Sequence, residues 1–304
     1  MQAEGRRWAT PWRLAQAAVS LGLIGWMVST VDKSMLAAAA VLDPVIFLLA
    51  ALLFASAQIF GGLRLATLFP GEVTPRDAVV MTWAGYFLSN FLPGTIGGDV
   101  YKAVRLKSAG MTLPAAAGGL LLDRLLNTVV LVILAALTAA PVVLAMAGGI
   151  DPRLAAIAGL ALAAIAAAGV HMARRQSRIG EIMTLAAGPF ARLLASPGRL
   201  VTAVILSICN IGVAIIAQWI VARELGLGIS LLEMAGISAV VTLLVMVPVS
   251  LNGLGLQEAS FIVLLTQAGV AQESALLFSI LVRMLIVVAS IVGGLTFAFN
   301  RGLR

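Results

Sequence analysis

Cysteine and histidine are almost missing from this chain: Cys209 and His171 are the only ones. A lone thiol forms no internal disulfide, and one thiol with one imidazole cannot assemble a zinc set. His171 stands beside Arg174 and Arg175 at the end of an apolar run, an interfacial position rather than that of a catalytic imidazole. Cys209 lies within another apolar run and reads as inert packing. Charge is scarce too, with 11% of the 304 residues Asp, Glu, Lys or Arg. No G-x-x-x-x-G-K-[ST] loop occurs, which excludes nucleotide binding of that type. Alternating polar and apolar segments of about ten residues are also lacking, which excludes a transmembrane β-barrel.

Apolar residues fill the space: 61% of the chain is hydrophobic and the mean hydropathy is +1.08. A soluble fold cannot hide that much apolar surface, so the fold class is all-α, a polytopic helical membrane protein. Six runs approach the length of about twenty residues that crosses a bilayer. They are Leu14–Val31, Pro44–Leu63, Pro114–Ala140, Leu154–His171, Leu200–Ala222 and Ser274–Phe299. The first follows Arg6, Arg7 and Arg13 and reads as an uncleaved span rather than a signal peptide. Trp8, Trp12 and Trp26 suit interfacial anchors.

Two further apolar segments are broken. Ala78–Leu92 runs into N-F-L-P-G-T-I-G-G-D at Asn90–Asp99, with Pro93, Gly94, Gly97 and Gly98 ahead of a carboxylate, Asp99. Leu231–Val247 runs into P-V-S-L-N-G-L-G-L-Q-E, from Pro248 through Asn252, Gly253 and Gly255 to Glu258. Irregular backbone costs several kcal/mol per unpaired group in hydrocarbon unless protein or a wet cavity supplies partners. Both segments are therefore expected to be re-entrant helical hairpins.

The positive-inside rule supports that count. With both termini cytoplasmic and both hairpins returning to their own side, most of the 20 basic residues fall inside. Lys33, Arg153 and Arg223 fall outside, and Arg124 and Arg283 within spans. The net charge of +7 thus marks inner loops, not a nucleic-acid partner. The basic stretch Arg174–Arg199 contains Glu181–Leu194, read as either an amphipathic surface helix or a solvated loop.

A shift of 159 positions carries Asp99 onto Glu258, Ala109-Gly110 onto Ala268-Gly269, Arg124 onto Arg283 and Arg64 onto Arg223. The single membrane domain, 1–304, thus reads as two halves, about 12–147 and 152–300, each span, span, hairpin, span. In the topology above the second half is inverted. Discontinuous helices in corresponding places of inverted halves point to a substrate site near the midplane.

Charge within an apolar span costs at least about 2.5–3.5 kcal/mol, so Asp99, Asp123, Arg124, Glu258 and Arg283 should face partners or a cavity. Arg124 and Arg283 carry planar forks suited to phosphate or carboxylate. Gly97, Gly98, Gly253 and Gly255 let backbone N–H groups approach a ligand, and the helix N-termini that follow attract anions. Asp99 and Glu258 suit pairing with the arginines or proton coupling. The competing reading makes Asp99–Arg124 and Glu258–Arg283 structural ion pairs that pin each hairpin. Asp123, with Val282 at the matching position, serves as local charge balance or converges with Asp99. Asn90 and Asn252 suit the broken backbone better than a ligand. Gly110 and Gly269 end helices or allow close packing.

The stretches F-L-P-G-T-I-G-G-D-V-Y-K-A-V-R-L, L-L-D-R and P-V-S-L-N-G-L-G-L-Q-E-A resemble the flippase-like family, also called the lysylphosphatidylglycerol synthase transmembrane-region family. Its motif positions fall on Pro93, Gly97, Gly98, Asp99, Asp123, Arg124, Asn252, Gly253, Gly255, Glu258 and Arg283. The resemblance implies movement of a lipid between leaflets. In two-part members a separate soluble domain makes an aminoacylated lipid, and no such domain is expected within these 304 residues. Stand-alone members are linked to lipid-linked glycan or hopanoid pathways.

These readings converge on a lipid translocase of the bacterial inner membrane, without cofactor or metal and not an enzyme. Its substrate would be an anionic-headed lipid: a phospholipid, an aminoacylated phosphatidylglycerol or a polyprenyl-phosphate carrier. Enzymes of lipid or glycan synthesis are the candidate partners. Two alternatives stand beside it. One is a membrane-embedded lipid-modifying transferase with Asp99 or Glu258 as base. The other is a non-transporting scaffold for a synthesis complex.

Overall fold

Helix starts in this chain are set by short polar caps between apolar runs. The computed structural model describes residues 42–90, 97–147, 189–246 and 253–299. The expected spans Leu14–Val31 and Leu154–His171 lie outside these residues, as do Trp8, Trp12, Trp26, Pro93, Gly94, Pro248 and Asn252. Helix α1 is Pro44–Leu68: Asp43 caps it by accepting the Val45 N–H at 2.8 Å, and Pro44 sets the first turn. Helix α2, Pro75–Ser89, begins the same way, with Thr74 accepting the Asp77 N–H at 3.1 Å. After the first break come α3, Gly97–Ser108, and the long α4, Leu113–Ala147.

The second half follows the same order. Helix α5 is Pro197–Glu224 and α6 is Leu231–Val245, the latter opened by a reciprocal capping box between Ser230 and Glu233. Beyond the second break lie α7, Leu256–Gln267, and α8, Gln272–Phe299. The two halves end their hairpins alike. Gly110 and Gly269 both take a positive φ, +95° and +88°. Beside them Met111 N–H donates to the Leu106 carbonyl at 3.2 Å, and Val270 N–H to that of Leu265 at 3.0 Å. Both turns are Schellman stops, which need a left-handed residue and so favour glycine. The ends of α3 and α7 and the starts of α4 and α8 are all 159 positions apart.

Among the described residues four helices are long and apolar enough to cross a bilayer: Pro44–Leu68, Leu113–Thr138, Pro197–Glu224 and Gln272–Thr296. They carry outward stripes of large apolar side chains at helical spacing. Leu125, Val129 and Val132 mark α4, Val201, Ile205 and Ile208 mark α5, and Met284, Val287 and Ile291 mark α8. Such a belt is a lipid face. Among the described residues every regular element is a helix. The chain is therefore a polytopic helical membrane protein, with two pairs of shorter helices, α2–α3 and α6–α7, folded back on themselves.

The halves interlock. Helix α1 lies along α5, while α2 packs on α8 and α6 on α4, so each hairpin's first arm rests on the other half's closing span. Small residues permit this. A Cβ on Gly62 of α1 would come within 2.4 Å of the Val79 backbone on α2. One on Gly293 of α8 would come within 2.2 Å of the Trp83 carbonyl oxygen. The larger core joins Phe54, Phe261, Phe278 and Leu285 across both halves. A smaller one gathers Phe69, Leu106, Leu120 and Leu193 around the first hairpin. Leu193 belongs to a helical stretch over 189–194, and the remainder of the expected surface segment Glu181–Leu194 lies outside the described residues.

One expectation fails. Arg64 does not sit in an inner loop: α1 runs on to Leu68 and Arg64 is buried within it. The positive-inside rule treats an arginine as a loop marker, but a helix can carry a buried arginine when a carboxylate from another helix meets it.

Candidate functional site

Each hairpin's second arm opens with a carboxylate at its third residue, Asp99 on α3 and Glu258 on α7. Each carboxylate meets an arginine 25 residues on: Asp99 Oδ2 accepts from Arg124 Nε, and Glu258 Oε1 from Arg283 Nε at 2.5 Å. The second pair is also tied to its loop backbone. Glu258 also accepts the Gly255 N–H on Oε2 at 2.7 Å, and Arg283 Nη2 donates to the Gly253 carbonyl at 3.1 Å. Gly253 and Gly255 have φ of +72° and +79°, a region L side chains avoid. A Cβ on Gly253 would also strike Val245 Cγ1 at 2.5 Å. The glycines thus aim the loop backbone into the ion pair. Glu258 is left 3% exposed and Arg283 15%.

The first pair is more open, with 33% of the Arg124 side chain and 24% of Asp99 exposed. A second cation stands by, Lys102 Nζ at 3.7 Å from Asp99 Oδ1. Gly97 and Gly98 are buried, and Gly98 holds the hairpin arms together. The Gly98 N–H donates to Ser89 Oγ at 3.1 Å, and a Cβ on Gly98 would lie 2.4 Å from the Gly85 carbonyl oxygen. Asn90 caps α2, its Nδ2 donating to the Tyr86 carbonyl at 3.4 Å.

Asp123 belongs to neither pair. Both its oxygens are taken by Arg64, Nε to Oδ1 at 2.7 Å and Nη2 to Oδ2 at 3.1 Å. Arg64 Nη1 donates onward to Asn127 Oδ1 at 2.6 Å and Ser207 Oγ at 3.1 Å. This buried hub ties α1, α4 and α5 together. Adjacent helix residues point to different faces, so Asp123 and Arg124 serve different partners despite their proximity in sequence.

A cavity of about 210 Å³ lies among α1, α4, α5, α6, α7 and α8. Its polar wall consists of Gln58, Asn127, Asn210, Gln218, Ser238, Thr242 and Gln257, and among the described residues no charged side chain lines it. Asn127 links it to the Arg64–Asp123 hub, and Gln257 precedes Glu258. The sequence reading singled out none of these amides. A neutral amide in an apolar run breaks no hydropathy rule, and Gln58 and Gln218 stand one residue off the repeat register. Among the described residues no three His, Cys, Asp or Glu side chains converge on a metal-sized site.

A family model described as the lysylphosphatidylglycerol synthase TM region matches residues 13–294. That span takes in both hairpins, both arginine–carboxylate pairs and the amide-lined cavity. No curated protein matches the chain.

Proposed function

Because the chain belongs to the lysylphosphatidylglycerol synthase transmembrane-region family, and so to a lipid-related membrane function, we propose that it is a lipid translocase. It moves an anionic-headed lipid across the bacterial inner membrane: a phospholipid, an aminoacylated phosphatidylglycerol or a polyprenyl-phosphate carrier. The reading rests chiefly on the half-open Arg124–Asp99 pair at the first hairpin. A guanidinium paired with a part-exposed carboxylate can exchange it for a phosphate, whose oxygens match the same planar fork. Lys102 adds a second cation beside it. Leu125 and Val129 are exposed on the same helix and offer the acyl tail a lipid-facing track.

The sealed Arg283–Glu258 pair is the fixed counterpart, against which the first half rocks. Asp99 displaced from Arg124 would take up a proton or turn to Lys102, a route for coupling to a proton gradient. Both termini would lie in the cytoplasm. Partners, if recruited, would be enzymes that make or consume the lipid, and the chain itself would perform no covalent chemistry and need no cofactor.

The test is reconstitution in liposomes carrying a headgroup-labelled anionic phospholipid, with an impermeant quencher outside. The proposal predicts that protein-containing vesicles lose the inner-leaflet signal that protein-free vesicles protect, and that a zwitterionic analogue moves more slowly. Protection equal to that of protein-free vesicles contradicts it.

A further inference from the structure

We infer that the amide-lined cavity between the two halves is a binding site for an uncharged, hydroxyl-rich group of the size of a single sugar ring. It is a site distinct from the arginine–carboxylate pairs. Its donors and acceptors are set from behind. A guanidinium can only donate, so Arg64 fixes Asn127 with Oδ1 toward it and leaves Nδ2 as a donor. Gln218 Oε1 accepts from Ser238 Oγ at 2.6 Å, which leaves its Nε2. Asn210 is turned the other way: Nδ2 donates to the Ala57 carbonyl at 2.6 Å, leaving Oδ1 as an acceptor.

Gln257 supplies the independent pointer to a ligand. It lines the cavity, is 7% exposed, and its buried Nε2 has no hydrogen-bond acceptor within the protein. A buried donor left unmet is costly, and a turn of the Gln257 side chain toward the cavity would bring Nε2 to an acceptor bound there. Several donors with an acceptor among them suit hydroxyls, which both give and receive. A phosphate is a poor match, because no cation lines the wall and Arg64 is already neutralised by Asp123. The volume of about 210 Å³ exceeds what a single water needs and lies below the usual drug-sized pocket.

Most of the polar wall is not a by-product of the repeat. At the shift of 159, Asn210 corresponds to Ala51, Ser238 to Val79, Gln257 to Gly98 and Asn127 to Ile286, while Gln58 and Gln218 stand one residue off the same register. A core that only had to join two similar halves would carry apolar residues at both sets of positions.

The inference does not depend on transport, so binding tests it separately. Purified protein in an amine-oxide detergent would be titrated with glucosyl-diacylglycerol, with diacylglycerol of the same chains and with phosphatidic acid, read by native mass spectrometry. The glucosyl lipid is expected to bind about tenfold more tightly than diacylglycerol, the scale of one or two neutral hydrogen bonds. Gln257→Leu should abolish that preference while leaving the thermal midpoint unchanged or higher, since it removes an unmet buried donor. Competition by glucose alone would assign the site to carbohydrate as such, and its failure to compete would assign it to the lipid-borne sugar. Equal binding of glucosyl lipid and diacylglycerol, phosphatidic acid binding as well as the glucosyl lipid, or a preference that survives in folded Gln257→Leu protein would overturn the inference.

Discussion

Arg64→Ala is expected to destabilise the protein by about 3–5 kcal/mol, the range for removing one partner of a buried ion pair. The loss strands Asp123, which has no other cation bonded to it, and also leaves Asn127 Oδ1 and Ser207 Oγ without the donor that joins α1 to α4 and α5. Heating detergent-solubilised protein while following tryptophan fluorescence reads the effect. Arg64→Met with Asp123→Leu should recover most of it, because two well-packed apolar groups can replace a buried pair at little cost. Arg64→Lys should fall between, since an ammonium keeps the charge and loses the fork. Wild-type stability in Arg64→Ala would mean that the hub holds nothing together.

Arg124→Ala is expected to do the opposite: fold normally and lose transport. Its pair with Asp99 is partly solvated, so its removal should cost less stability than that of Arg64. A charge-assisted contact to a head group contributes roughly 1.5–3 kcal/mol, which is about a 10- to 100-fold loss of lipid movement. Arg124→Lys should keep part of the rate. If the pair only pins the hairpin, folded Arg124→Ala protein will move the labelled lipid as fast as wild type. Arg283 is the poorer probe, because its removal exposes a deeply buried Glu258 to the same penalty as Arg64→Ala and confounds folding with function.

Much of the scaffold was legible in the chain itself. Runs of about twenty apolar residues located α1, α4, α5 and α8, and the caps at Asp43, Thr74 and Ser230 set helix starts within a few residues of the hydropathy estimate. Asp99 with Arg124 and Glu258 with Arg283 could be paired from one shared spacing, because a hairpin arm and the helix after it are covalently close. What escaped reading depends on contacts between distant segments. Arg64 meets Asp123 across 59 residues, and no local period announces that. The amides of the cavity are dispersed over α1, α4, α5 and α7, each unremarkable among its neighbours. The difference in burial between the two ion pairs was hidden as well, since exposure follows from how distant segments pack around each pair.

Alternating access by rocking halves requires that they face the membrane in opposite directions. Single cysteines at Ala109 and Ala271, both exposed beside the two Schellman turns, report this directly in a Cys209→Ser background. An impermeant maleimide applied to inside-out and right-side-out vesicles should label Ala109→Cys only from the cytoplasmic side and Ala271→Cys only from the opposite side. Labelling of both from one side would contradict the inverted arrangement and the translocation built on it.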